Sequence, residues 1–514
     1  MQPRTRMGRI SVREFGASTS TYPSGSEPNS PRSAPARTAE PTRSTAPRGG
    51  WRDAAVIAGP AGLAVVLCLI ELTTRSLWLD EAATAAIASQ HGSALWSAIA
   101  HDGGNMLGYY AVLHVLIGWF GHGALVLRLP SALAAGAATA AVSLLGLRLF
   151  DRRVALAAGL LSAVSLPLVF WGQDARGYAA RVALVAGSFA AFAALVESGS
   201  RRAWIAYVVL TTLAVYMSFL AILAVPAQLL ALAWRRHAWQ RVATALGVCA
   251  VCWIPLAVLA ASRGGGQLFW IPRPSLTTEK QVILALTSAG FEPNFQPTWA
   301  AAVLAIVTVA LLLIAFVRIA RTPDWGALLA VSWLVVPVIL MWLESLGGQS
   351  IFTARNLLVS LPAVALVLGW LLARTRAGWV ALAVVLGLRV VALAPSYGVS
   401  PENWRAATAY VLASERPGDC VAFYPLDAQM PFAYYADRPL RPYVERYEAP
   451  RLPAGCRRVW LVASHQGQPN GPSASRAHFA RYVMVRTALT RRYGPPTTRA
   501  FGYASVIWVD LFSR

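Results

Sequence analysis

The chain has 514 residues, of which 56% are hydrophobic and only 13% charged, and its mean hydropathy is +0.50. A soluble domain carries roughly 25% charged residues to wet its surface, so a soluble enzyme is excluded, as are disordered and fibrous architectures. The net charge of +22 does not indicate nucleic acid, because the basic residues sit in short clusters between apolar runs.

In chain order, residues 1–53 are rich in Ser, Pro, Thr, Arg and Gly, without apolar periodicity, and hold nine Arg against four acids. Such a segment cannot bury enough surface to fold and lacks the apolar core of a signal peptide, so it reads as a disordered cytoplasmic tail. Apolar runs of roughly spanning length then follow at 54–74, 125–149, 154–171, 178–197, 203–217, 219–234, 241–261, 298–317, 325–343, 356–373 and 378–395.

Topology turns on the shorter run at 106–120. If it does not span, the clusters Arg152/Arg153, Arg201/Arg202, Arg235/Arg236/Arg241, Arg318/Arg321 and Arg374/Arg376 all face the cytoplasm with the basic tail. If it spans, all five clusters move outside. The reading is therefore a polytopic α-helical membrane protein with about 11 transmembrane helices over 54–397 and its N-terminus inside. Residues 75–124 become a first external loop. Within it, 82–100 is expected as an amphipathic helix with Ile87, Leu95, Trp96 and Ile99 available to the bilayer surface, and 106–120 as a second helix lying against the membrane. The abundance of Ala and Arg is the usage of a high-GC bacterial genome, which makes the membrane a bacterial plasma membrane.

Beyond Pro395 the apolar runs shorten, and 398–514 hold fifteen Arg and eight acids. The segments 420–424, 459–463 and 505–512 read as strands, with helix-like stretches at 402–416, 427–437 and 474–489. That alternation predicts a small α/β domain with a largely parallel sheet, outside the membrane by parity. Cys420 opens the first strand and Cys456 lies just before the second. Parallel neighbours would bring their starts to about 5 Å in an oxidising compartment, so a Cys420–Cys456 disulfide is expected. Cys249 and Cys252 form a CxxC inside an apolar run and read as core residues, and no Cys/His set has zinc spacing.

The residues able to carry chemistry gather on the predicted outer side. Asp80 and Glu81, beside Trp78 and Leu79 just after the first span, are partly desolvated carboxylates of the kind a general base requires. They equally suit a helix N-terminus. Asp102 lies between the two surface helices, where a loop acid is also ordinary. Gln173, Asp174, Arg176 and Tyr178 follow the third span, and the Asp–Arg pair there could equally be a local ion pair of little energy. Arg273 and Arg355 run against the orientation bias. Binding an anionic lipid phosphate accounts for them, since a guanidinium fork matches phosphate oxygens, and so does interfacial snorkelling.

Six stretches occur in the order seen in the GT-C superfamily of membrane glycosyltransferases: SLWLDEA (76–82), LGYYAVLH (107–114), LRLPS (127–131), GQDARGY (172–178), FTARNLLVSLP (352–362) and ENWRAA (402–407). The chain most resembles the glycosyltransferase family 39-like enzymes, which include protein O-mannosyltransferases and aminoarabinose transferases, over roughly 54–410. The resemblance implies a GT-C fold, an acidic pair in the first external loop and a polyprenyl-phosphate sugar donor. It places Asp80 at the catalytic acid, Glu81 beside it, and Asp174, Arg176 and Arg355 at substrate positions. Asp102 falls where relatives have an acid before a His-Pro-Pro-type stretch, which this chain replaces by Gly-Asn-Met-Leu. Asn356 replaces a Tyr, and Ser218 stands where relatives often carry a His.

The function this implies is inverting transfer of a sugar, mannose first and arabinofuranose next, from a polyprenyl phosphate to a lipid, glycan or protein hydroxyl. No cofactor is required by that reading, although some relatives use a divalent metal. Two rivals belong to other classes. A transporter or flippase of a lipid-linked sugar would place ionisable residues at mid-membrane in paired repeats, and a non-catalytic envelope-assembly scaffold would tolerate Asp80→Asn.

Overall fold

The protein is described from a computed structural model over residues 50–263, 271–290, 298–442, 455–470, 473–502 and 506–513. The disordered-tail expectation therefore lies almost wholly outside the described residues.

Among the described residues seven helices are long and apolar enough to cross a membrane: Trp51–Leu69, Ala124–Leu149, Tyr178–Ser198, Arg236–Ser262, Trp299–Arg321, Trp325–Gly347 and Arg376–Ser396. An eighth crossing is broken, Arg152–Ala163 bending by 57° into Leu166–Gly172. The remaining expected runs form Arg201–Met217 and the shorter apolar helices Phe219–Leu232 and Asn356–Leu372, so the count of eleven rests on helices below the usual spanning length.

The break has a physical cause and a partner. Ser165 N–H bonds back to Ser162 instead of Leu161, which frees the Leu161 carbonyl inside the bundle. Arg389, a buried arginine on Arg376–Leu393, donates to that carbonyl. Polar groups are thus not confined to the loops, as the sequence suggested. This one satisfies a backbone group that lipid could not.

The segment 75–124 forms three helices, Leu79–Ala88, Gly92–His101 and Leu107–Phe120. The single surface helix expected over 82–100 is broken at 89–91. Of Ile87, Leu95, Trp96 and Ile99 only Trp96 is exposed; Leu95 is half-buried, and Ile87 and Ile99 are buried against the protein. Leu107–Phe120 is about 21 Å long at 1.5 Å per residue, short of a hydrocarbon core of about 30 Å. It buries Tyr109, Tyr110 and Leu113 and exposes Trp119 and Phe120.

The C-terminal part is a four-stranded sheet of β1 (Asp419–Tyr424), β2 (Arg458–Ala463), β3 (Thr497–Phe501) and β4 (Ile507–Ser513), in the order β1-β2-β4-β3. Only β1–β2 is parallel; β2–β4 and β3–β4 are antiparallel, which corrects the largely parallel expectation. The unforeseen strand β3, TTRAF, is mostly exposed and has no apolar alternation to announce it. Alternation along β2 feeds two cores. Val459, Leu461 and Ala463 face the helix Ser473–Tyr493, whereas Trp460 and Val462 face Trp404–Ser414 and Gln429–Tyr435. Cys420 and Cys456 are disulfide-bonded with Cα atoms 5.6 Å apart, as the strand geometry anticipated.

This unit is clamped onto the segment after the first helix. Arg405 donates to the carbonyls of Thr73 and Thr74, Leu77 N–H donates to the Tyr435 hydroxyl at 2.7 Å, and Met430 packs on Ala82 and Ala86.

Candidate active site

The helix Leu79–Ala88 carries both acids in its first turn, and its start is held from two directions. Glu81 reaches back to the N–H of Trp78 at 3.3 Å, and Glu402 accepts the N–H of Leu79 at 3.0 Å. These are donors that a helix cannot satisfy internally.

Adjacent positions are about 100° apart around a helix, so the two carboxylates face different surroundings. Glu81 is fully buried. Arg128 grips it with Nε at 2.7 Å and Nη2 at 2.6 Å, and Ala175 N–H donates to it at 2.8 Å. The same guanidinium bonds the carbonyls of Leu72, Arg75 and Ser76, tying the end of the first helix to the Asp80 helix. Burial would raise the Glu81 carboxyl, but Arg128 overrides it and holds the acid below its ordinary range. Glu81, expected beside Asp80 as a catalytic acid, is therefore an ionised pin with both oxygens occupied, facing no open space.

Asp80 is the opposite case. Its side chain is 33% exposed, and Oδ2 lies 3.4 Å from Arg355 Nη1 and 3.8 Å from Arg176 Nη2. Both separations exceed the roughly 2.7–2.9 Å of a formed charge-assisted hydrogen bond. Arg176 is steadied by donating to Thr84 Oγ1 at 3.0 Å, and its Nε is buried without a hydrogen-bond partner. Arg355 also reaches the hydroxyl of Tyr178 at 3.5 Å. An acid thus faces two cations at an accessible surface.

The other expected site residues divide. Asp174 is buried, with Oδ1 accepting from the Trp78 indole at 2.7 Å. Burial and the neighbouring negative charge of Glu81 push its carboxyl well up, against Trp78 and Arg75. Gln173 is likewise structural, donating to the carbonyls of Cys68 and Ile70. Asp102 accepts from Tyr110 at 2.8 Å, and its charge acts on Arg176. Arg273 is exposed and joins none of the hydrogen bonds or ion pairs around Asp80. Among the described residues no group of three or more His, Cys, Asp or Glu side chains could hold a metal ion.

Four residues of the constellation were not singled out as site residues by the sequence reading. Arg128 and Arg181 lie inside apolar runs, where a charge is a functional signal in its own right. Arg181 donates to Ser218 Oγ at 3.1 Å and to the carbonyl of Arg355 at 2.7 Å, so it positions the backbone that presents Arg355. Ser218, standing where relatives often carry a His, is its acceptor. Glu402 and His465 come from more than 300 residues further along the chain, and no local pattern links them to Asp80.

A bundle of whole and broken apolar helices beside a small α/β unit is the GT-C fold, and the chain has it. Residues 105–260 match the family model described as dolichyl-phosphate-mannose-protein mannosyltransferase. Among solved structures, the chain is similar to ArnT from Cupriavidus metallidurans bound to undecaprenyl phosphate. The TM-score is 0.56 at 13% identity, over 88% of this chain and 97% of that one. It is also similar to the oligosaccharyltransferase AglB from Archaeoglobus fulgidus in complex with an inhibitory peptide and a dolichol-phosphate. There the TM-score is 0.54 at 14% identity, over 87% of this chain and 73% of that one. No curated protein matches the chain.

Proposed function

We propose that the protein is a glycosyltransferase that moves one sugar from a polyprenyl-phosphate donor to an acceptor hydroxyl at the outer face of a bacterial plasma membrane, with inversion. The reading rests on one observation: Asp80, one-third exposed, faces the guanidinium groups of both Arg355 and Arg176. The GT-C fold, and polyprenyl phosphates in both solved structures, support the donor class. Mannose is the favoured sugar, on the family model's description, with arabinofuranose next.

Asp80 takes the proton of the acceptor hydroxyl while that oxygen attacks the anomeric carbon. The bond from that carbon to the phosphate oxygen breaks, and its electron pair leaves on polyprenyl phosphate. The leaving group gains one negative charge as it departs, and Arg355 and Arg176 are placed to stabilise it. Binding of the donor phosphate would draw the two arginines away from Asp80, freeing the carboxylate for the acceptor. Donor entry and activation of the base are then one event.

The test is to incubate the purified chain with a panel of polyprenyl-phosphate sugars and acceptors and to follow loss of the sugar. Release from one donor, abolished by Asp80→Asn, supports the reading. No turnover with any donor, or turnover unchanged in Asp80→Asn, removes it.

A further inference from the structure

His465 is used by nothing described so far, although it sits at the seam between the sheet unit and the Asp80 helix. It follows β2 by two residues, with φ of 49°. That is a left-handed conformation which His tolerates better than most residues but which still needs support from its surroundings. The support is visible: Nε2 lies 3.2 Å from Oε1 of Glu402, whose side chain is almost completely buried. Nδ1 lies 3.3 Å from Ser464 Oγ.

The other Glu402 oxygen accepts the Trp404 indole at 2.6 Å and the N–H of Leu79 at 3.0 Å. Leu79 is the first residue of the helix whose second residue is Asp80. A chain of polar contacts therefore runs from the imidazole through a buried carboxylate to the turn that aims the proposed base. The imidazole ring is 40% exposed and lies in the fields of both Asp80 and Arg355.

We propose that His465 is a positioning residue for the transfer site: as an imidazolium it neutralises buried Glu402, and through it fixes the first turn of the Leu79–Ala88 helix and the aim of Asp80. The role in turnover rests on the transferase reading above; the hold on the helix does not.

The pH dependence follows from the groups facing the ring. Burial acts to lower the His465 pKa, whereas Glu402 and Asp80 raise it and Arg355 opposes them; the net shift is upward from 6.5. Asp427, near His478 on its other side, also feels the ring. A His with a raised folded pKa gives its full stabilisation below its ordinary value and loses it as pH climbs through the raised one. The helix start should therefore loosen, and turnover fall, as pH rises above the ordinary imidazole value of 6.5.

The test uses the full chain in detergent and two variants, His465→Asn, which suits the left-handed backbone, and Glu402→Gln. Hydrogen-exchange mass spectrometry follows the segment 77–84 from pH 6 to 9 after correction for intrinsic exchange. An intact Cys420–Cys456 disulfide and a single cooperative melting transition certify that each variant is folded. The wild type should lose protection of 77–84 with rising pH. The His465→Asn variant should exchange several-fold faster at pH 6, with the pH dependence gone. Turnover should drop about tenfold in kcat, with donor KM within about twofold, and lose its alkaline limb. Unchanged protection of 77–84 in both folded variants overturns the proposal, as does an alkaline limb that survives His465→Asn. If the wild type turns over no polyprenyl-phosphate sugar, the transferase reading fails, while exchange at 77–84 still decides whether His465 holds the helix.

Discussion

Asp80 and Glu81 are chemically almost the same side chain, and the difference in their surroundings sets two different mutational outcomes. Replacing Asp80 with Asn removes the proposed base without disturbing a buried contact. Turnover should then fall by about 10²–10⁴-fold, with expression and thermal unfolding close to wild type. Glu81→Gln removes the carboxylate that grips the buried Arg128 guanidinium at 2.6 Å, and loss of one partner of a buried pair costs about 3–5 kcal/mol. That variant should be poorly folded at any pH, which a thermal unfolding series in detergent will show. Arg355→Gln should lower kcat by about a hundredfold by removing a donor aimed at the leaving phosphate, read from donor titrations at saturating acceptor.

At the scale of elements, the edge of the sheet carries an electrostatic lock next to a covalent one. Asp419, at the start of β1, accepts from Arg458 at 2.6 and 2.9 Å and from the Trp460 indole at 3.0 Å. Burial acts to raise its carboxyl, but these donors bring it down to about 2. A carboxyl with a lowered folded pKa stabilises fully above its ordinary value near 3.8 and loses that contribution as pH falls toward 2. Acid unfolding of the sheet unit, followed by tryptophan fluorescence, should lose a component between about pH 4 and 2, absent in Asp419→Asn. The neighbouring Cys420–Cys456 bond closes a loop of 36 residues, for which the chain-entropy model gives about 3–4 kcal/mol. Non-reducing peptide mapping should find the pair linked, and reduction should lower the melting temperature of this unit while leaving the helices folded.

For the whole molecule, the transfer site and the clamped sheet unit should share the outer face of the membrane. A single cysteine at His122, exposed at the end of the Leu107–Phe120 helix, should then react with an impermeant thiol reagent added to intact cells. One at Arg153, exposed at the start of Arg152–Ala163, should not. Both tests are best made in a Cys252→Ser background, since Cys252 is itself exposed. The reversed pattern would put the arginine clusters outside and move the proposed site to the cytoplasm. A chain truncated before residue 398 should fail by more than the loss of one domain. Glu402, Arg405 and Tyr435 satisfy backbone groups at Thr73, Thr74, Leu77 and Leu79, and these would be left to water at the turn that carries Asp80.

Hydropathy, arginine spacing and strand alternation determined a good deal without help from tertiary structure. The helical membrane class, the positions of the apolar segments, the α/β character after residue 398 and the disulfide are written in local patterns, because burial in lipid and pairing of strands act on neighbouring residues. What the tertiary structure decided is how the charges are shared out. No local pattern tells that Glu81 belongs to Arg128, or that Asp174 accepts from Trp78. Nor does any pattern tell that Arg389 serves a broken helix across the bundle, or that the mostly exposed β3 pairs with β4. His465 and Glu402 show the reason most plainly. A titratable group acquires its role from the charges and donors within a few ångströms of it, and here the fold draws those from positions 79, 80 and 355 to a residue far along the chain.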